Sequence, residues 1–95
     1  GVHAIDLAKY LMEQGTHPPT VYFPLIVKEA IMVEPCETES RQTMDAFIAQ
    51  VRDAVRLAEQ DPERLRACPQ GLPISRPDEA RAGREVRVNY FAPCV

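Results

Sequence analysis

The chain has 95 residues, 26% of them charged, and a net charge of −3. Its 45% hydrophobic content is an ordinary globular value, which argues against disorder despite nine prolines. The length sets a limit of one domain, expected to span 1–95, and the acidic balance disfavours nucleic-acid binding, which relies on basic clusters.

The pattern from 4 to 14 is helical: Ile5, Ala8 and Met12 recur at three and four, with Leu11 beside them. Lys9 and Glu13 fall on the other side, and Gly15 supplies a left-handed closing residue. His17-Pro18-Pro19 then holds the chain extended, because two prolines cannot continue a helix. Thr20-Val21-Tyr22-Phe23 is rich in β-formers and ends at Pro24, while Ala30-Ile31-Met32-Val33 makes a second strand ending before Pro35. The short connection between them predicts antiparallel neighbours, since a parallel crossover needs a dozen residues or more. Leu25, Ile26 and Val27 are too apolar for a free turn, so a partner or another part of the protein is expected to cover them.

The strongest helix is expected over 40–60. Met44, Phe47, Ile48, Val51, Val55 and Ala58 form one apolar stripe along it, with Thr38 or Ser40 as cap and Glu39 at the positive end of the helix dipole. Asp61-Pro62-Glu63 restarts a short helix ending near Ala67. Residues 68–77 carry three prolines and form an extended connector, followed by one or two helical turns over 78–83. Val86, Val88 and Tyr90 alternate with Arg87 and Asn89, which predicts a half-buried strand over 85–91 and a frayed tail after Ala92. The expected fold class is α+β: a two-layer sandwich with a small, mainly antiparallel sheet and helices on one face.

The rest of the composition narrows the chemistry. No apolar run approaches the roughly 20 residues of a membrane span, and no signal peptide is visible at the N-terminus. A start at Gly1 rather than Met predicts a processed product or a piece of something longer. Cys36, Cys68 and Cys94 lack metal-ligand spacing and read as reduced thiols of a cytoplasmic protein. Residues 1–61 hold five basic and ten acidic groups, net −5, whereas 62–95 hold six arginines and four acids, net +2. Complementary packing of the two parts is open, although surface pairs contribute only about 0–1 kcal/mol each.

No GxGxxG motif or phosphate loop occurs. His3 and His17 lie far apart; His17 is either a pocket-facing acid–base group or a loop histidine satisfied by backbone. Glu34, Glu37 and Glu39, with Asp6 as a possible neighbour, could hold a hard cation, but acids just before a helix have a structural reason to be there. No serine or threonine has an adjacent base. Neither Lys9 nor Lys28 has the flanked, buried context of a Schiff-base lysine. Arg76, Arg81, Arg84 and Arg87 cluster late; one could clamp a carboxylate, and pairing with Asp78, Glu79 and Glu85 is the simpler expectation. No catalytic residue, metal site or cofactor site is complete.

Three stretches carry a resemblance. Ile-Asp-Leu-Ala-Lys-Tyr-Leu-Met-Glu-Gln-Gly at 5–15 runs into His-Pro-Pro-Thr-Val-Tyr-Phe-Pro-Leu at 17–25; Ile-Met-Val-Glu-Pro-Cys-Glu-Thr-Glu-Ser stands at 31–40; Arg76-Pro77-Asp78-Glu79 and Arg81-Ala82 follow. Over residues 2–90 the chain resembles the C-terminal end of the glycine decarboxylase P-protein family, and within it subunit 2 of the two-subunit bacterial and archaeal form. The resemblance implies the small C-terminal domain of a pyridoxal-phosphate enzyme of fold type I (aspartate aminotransferase-like). It also implies a parent that decarboxylates glycine and passes the aminomethyl group to the lipoyl H-protein, with subunit 1 and the rest of subunit 2 as partners. The family's cofactor lysine lies upstream and matches neither Lys9 nor Lys28. The chain alone is therefore expected to be inactive and to bind no cofactor. Segment 17–24 and the turn 34–40 are expected nearest the cleft, with His17 and Thr20 lining it. Cys36 stands where the family usually has threonine, which matters only if that hydroxyl makes a hydrogen bond. The competing reading is a free-standing ferredoxin-like interaction or ligand-sensing module that dimerises through loop 25–27. Self-association through that loop is expected in either case, because a severed domain uncovers its interface.

Overall fold

The computed structural model describes residues 1–91; the expected fraying after Ala92 and Cys94 lie outside the described residues. The elements run in the order α1 (Ala4–Glu13), β1 (Thr20–Val21), β2 (Ile31–Met32), α2 (Arg41–Gln60), α3 (Pro62–Arg66) and α4 (Glu79–Arg84). The expected α+β class holds: an antiparallel strand pair accompanies several helices, and α1, α2 and α3 pack on one another.

Local chemistry explains most element ends. Gly15 takes φ +79°, and the Gly15 and Thr16 amides donate to the Met12 and Leu11 carbonyls, which closes α1 in a Schellman turn. The Ser40 hydroxyl, not Thr38, caps α2 by accepting the Thr43 N–H at 3.1 Å. Asp61 caps α3 with Pro62 in its first turn, and Asp78 caps α4.

The sheet is one pair, with Thr20 opposite Met32 and Val21 opposite Ile31. Both strands are shorter than expected. Tyr22 and Glu29 sit at φ 58° and 57°, in the left-handed region that ends a ladder. The strand expected over 85–91 is not formed among the described residues: Val86, Val88 and Tyr90 are 68%, 96% and 95% exposed. An alternating pattern makes a strand only where a neighbouring edge supplies hydrogen bonds, and none lies beside this segment.

The core is small: Ala4, Ala8, Leu11, Ala30, Ala54, Leu65, Cys68 and Pro69. Leu11 is its anchor on α1, whereas Met12, expected inside, is exposed. Glu13, expected on the outer side, is half-buried and gripped by both Arg64 amino groups at 3.3 and 3.4 Å. The α2 stripe is only half used. Phe47, Val51 and Ala58 are half-buried, while Met44, Ile48 and Val55 remain exposed. Ala54 is the one α2 residue that is fully buried, so Met44, Ile48 and Val55 of the stripe are left open.

The dimensions agree. The radius of gyration is 15.9 Å, against about 12 Å for an independent domain of this length. The exposed area is 7605 Å2, roughly 2,000 Å2 above the norm for a compact chain of this mass. That excess is more than twice the roughly 800 Å2 that one partner gives to a standard interface.

Candidate functional site

The ladder defines the region where a site can be built. Pairing of Thr20 with Met32 sets the arm 17–20 beside the residues that follow Met32, so the two segments expected nearest a cleft are neighbours. His17 and Thr20 are both exposed on this arm, and so are Glu34, Glu37, Glu39 and Cys36 on the other. The arm is fixed from behind: the Thr16 hydroxyl donates to the Gln50 side chain on α2 at 2.6 Å.

Between the strands, residues 22–30 present Tyr22, Phe23, Leu25, Ile26 and Val27 outward, with Leu25 85% and Ile26 94% exposed. The loop is nevertheless held at its end. Glu29 accepts the Ala4 N–H at 2.7 Å through one carboxylate oxygen and meets His3 Nδ1 at 2.9 Å through the other. These contacts, the Ala4 amide first, keep the Glu29 carboxyl below its ordinary pKa. Glu29 thus satisfies an orphan donor at the N-terminus of α1, where a negative charge is also favoured by the dipole.

Asp6 completes that helix start. Its carboxylate accepts the His3 N–H at 2.9 Å and the Arg76 guanidinium at 2.7 Å, and Arg76 Nε also donates to the Cys68 carbonyl at 2.7 Å. Burial pushes the Asp6 carboxyl up, but the His3 amide and Arg76 outweigh it and hold the group below its ordinary value. Arg76 therefore does not pair with Asp78, Glu79 or Glu85, as the local sequence suggested. Asp6 offers a desolvated partner that a solvated neighbour cannot match, and the pair spans 70 residues. Arg81 does pair locally, with Glu85 at 2.9 Å.

Sequence reasoning missed Glu29 and the Asp6–Arg76 pair. The spacing of His3 and Asp6 is that of a capping box, which was a readable signal. Neither Glu29 nor Arg76 carried one, because both act across long sequence separations.

The described residues do not assemble a pyridoxal-phosphate site. Lys28 is exposed on the apolar loop and Lys9 is half-buried on α1. The shallow depression of about 230 Å3 between α1, β2 and α2 is lined mainly by Leu7, Ile31, Ala54, Val55, Ala58 and Leu65, with no lysine. No cluster of metal-ligating side chains occurs among the described residues, and no helix there is long and apolar enough to cross a membrane. Cys68 is fully buried, and its thiol is pushed up to about 11 by burial first and by Glu13 second, so it stays protonated at neutral pH.

Comparison with known proteins gives this geometry a context. The chain is 46% identical over 91 residues to the probable glycine dehydrogenase (decarboxylating) subunit 2 of Legionella pneumophila (strain Lens), covering 96% of this chain and 19% of that protein. It is 44% identical over 91 residues to the protein of the same description from Kosmotoga olearia, with the same coverage. For the Listeria welshimeri protein the identity is 49% over 90 residues, 95% of this chain and 18% of that one. The chain thus spans about a fifth of the length of the curated relatives it matches. A family model described as "Glycine dehydrogenase, C-terminal domain" matches residues 1–65, more than half of the chain, and the chain belongs to that family.

Proposed function

We propose that residues 1–95 are the C-terminal domain of the P-protein subunit 2 of a glycine cleavage system, a cytoplasmic oxidoreductase component. The carrying observation is the match of nearly the whole chain to about a fifth of proteins described as glycine dehydrogenase (decarboxylating) subunit 2. In this reading the complete enzyme decarboxylates glycine and transfers the aminomethyl group to the lipoyl H-protein. Pyridoxal phosphate, held elsewhere in the assembly, supplies the electron sink for that chemistry.

This chain supplies shape. The apolar loop 22–27 and the exposed half of the α2 stripe pack against the rest of subunit 2 and subunit 1, which accounts for the excess surface. The arm carrying His17 and Thr20 then becomes one wall of the interdomain cleft, held in place by Thr16 and the strand ladder. Both side chains are exposed now and would be enclosed by the missing wall.

The test is reconstitution from two pieces. A relative's subunit 2 truncated before this domain is co-expressed with the 95-residue chain, subunit 1 and the H-protein. The chain is expected to co-purify and to restore release of CO2 from glycine. Glycine decarboxylation by the 95 residues alone, or failure of the pieces to associate, would overturn the reading.

A further inference from the structure

The depression between α1, β2 and α2 is open on one side. Ala54 and Leu65 are buried at its base, while Val55 and Ile31 are exposed at its edge. The two polar side chains in its lining, His3 and Glu29, hold each other at 2.9 Å, and Glu29 also accepts the Ala4 N–H at 2.7 Å. The lining that remains is apolar, which suits apolar side chains and not a polar ligand. The chain enters at the same place. Val2 and His3 line the depression, and the Gly1 carbonyl accepts the Arg66 guanidinium at 2.8 Å, one residue from Leu65. A Cβ on Gly1 would lie 2.6 Å from that guanidinium, so the entering backbone rests directly against α3. Arg66 is itself paired with Glu63.

We propose that the segment immediately preceding Gly1 in subunit 2 crosses this depression and seats apolar side chains in it, as a strap belonging to the same polypeptide. The proposal rests on reading the chain as the C-terminal domain of subunit 2, the matched region being 19% of the length of its relatives. Three observations select this occupant over a separate chain. The first is position: the upstream polypeptide arrives through Gly1, at the rim of the depression, and Arg66 fixes that point of entry. The second is tethering. A segment attached at the rim has an effective concentration on the order of millimolar, so it outcompetes a free chain at about micromolar concentration by roughly a thousandfold. The third is reach. Packed helix axes lie about 8–10 Å apart, and about three or four extended residues span that distance. The strap covers Val55, which the 95 residues leave exposed, and leaves loop 22–27 for other contacts.

Photo-crosslinking identifies what covers the depression. Full-length subunit 2, assembled with subunit 1, carries p-benzoylphenylalanine in place of Val55. After irradiation, peptide mass mapping is expected to join position 55 to the segment just before Gly1, within one chain. The same group in place of Ile26 is expected to join other sequences. In a second measurement, Val55→Asp should speed proteolytic cutting just before Gly1 about tenfold or more, because a charge in an apolar seat favours the released strap. A cross-link from position 55 to subunit 1, to a second copy or to a distant part of subunit 2 overturns the proposal. So does the absence of any cross-link from position 55, equal capture of the segment from positions 55 and 26, or an unchanged cutting rate. Release of CO2 from glycine by the unmodified assembly tests the P-protein reading separately. An active assembly with position 55 joined elsewhere defeats the strap alone, and an inactive one with the expected cross-link defeats the reaction alone.

Discussion

The Arg76 guanidinium stands 2.7 Å from the carboxylate of Asp6, a residue 3% exposed. This pair ties the proline-rich connector to the first turn of α1. Arg76→Ala would leave a buried carboxylate without its counter-charge. The expected loss is about 2–3 kcal/mol, at the lower margin for a buried pair because the arginine is partly solvated. Urea unfolding of the two proteins measures it; a difference below about 0.5 kcal/mol would remove Arg76 from the list of structural residues.

The same carboxyl sets an acid limb. Its folded pKa is depressed, so the stability it contributes is complete above the unfolded value of about 3.9 and is lost as pH falls through the folded value. The melting temperature of the wild type should therefore fall more steeply below about pH 4 than that of Asp6→Asn. Parallel acid limbs would show that other carboxyls dominate.

Gly15 is a clean test of backbone strain. A Cβ there would meet no atom within 4 Å, yet φ is +79°. Gly15→Ala should cost about 1–2 kcal/mol through conformation alone. Gly83, which is helical and equally unobstructed, should gain slightly or stay neutral when changed to alanine.

The two described cysteines should differ in reactivity. Cys36 is exposed, whereas Cys68 is buried with its thiol raised to about 11. Iodoacetamide at neutral pH, read by peptide mass mapping, should label Cys36 in the native chain and Cys68 only after unfolding. Equal rates would mean that the α1–α3 contact opens readily.

The apolar loop should affect assembly and not folding. Leu25→Asp and Ile26→Asp change side chains that touch little in this chain. They should leave its melting temperature within about a degree and raise its solubility. In the two-piece reconstitution they should abolish co-purification. A variant that still assembles would place the subunit contact elsewhere, the α2 stripe being the next surface to mutate.

The parts of the fold that were legible in the sequence are those set by near neighbours. Gly15, Ser40, Asp61-Pro62 and Asp78 mark helix ends through contacts within a few residues, and the short separation of β1 and β2 dictated their direction. The α2 stripe was legible as apolar, but periodicity does not say whether the covering surface lies in the same chain. The strand at 85–91 failed for the same reason, since alternation describes a side-chain preference and the partner edge is a separate requirement. Of the site, the adjacency of segments 17–24 and 34–40 followed from the hairpin. The Glu29 and Arg76 anchors did not, because their partners are 25 to 70 residues away.

Glu29, His3, Asp6 and Arg76 form one relay that joins the loop, the start of α1 and the connector. Amide protons on the near side of that relay should exchange with deuterium together, as a cooperative unit. Those over 78–91 should exchange almost as fast as in a peptide, since α4 buries no residue. The molecule therefore carries its own boundary between a clamped stretch over 1–77 and a loose one over 78–91, and any binding event that slows the second group will be visible against the silence of the first.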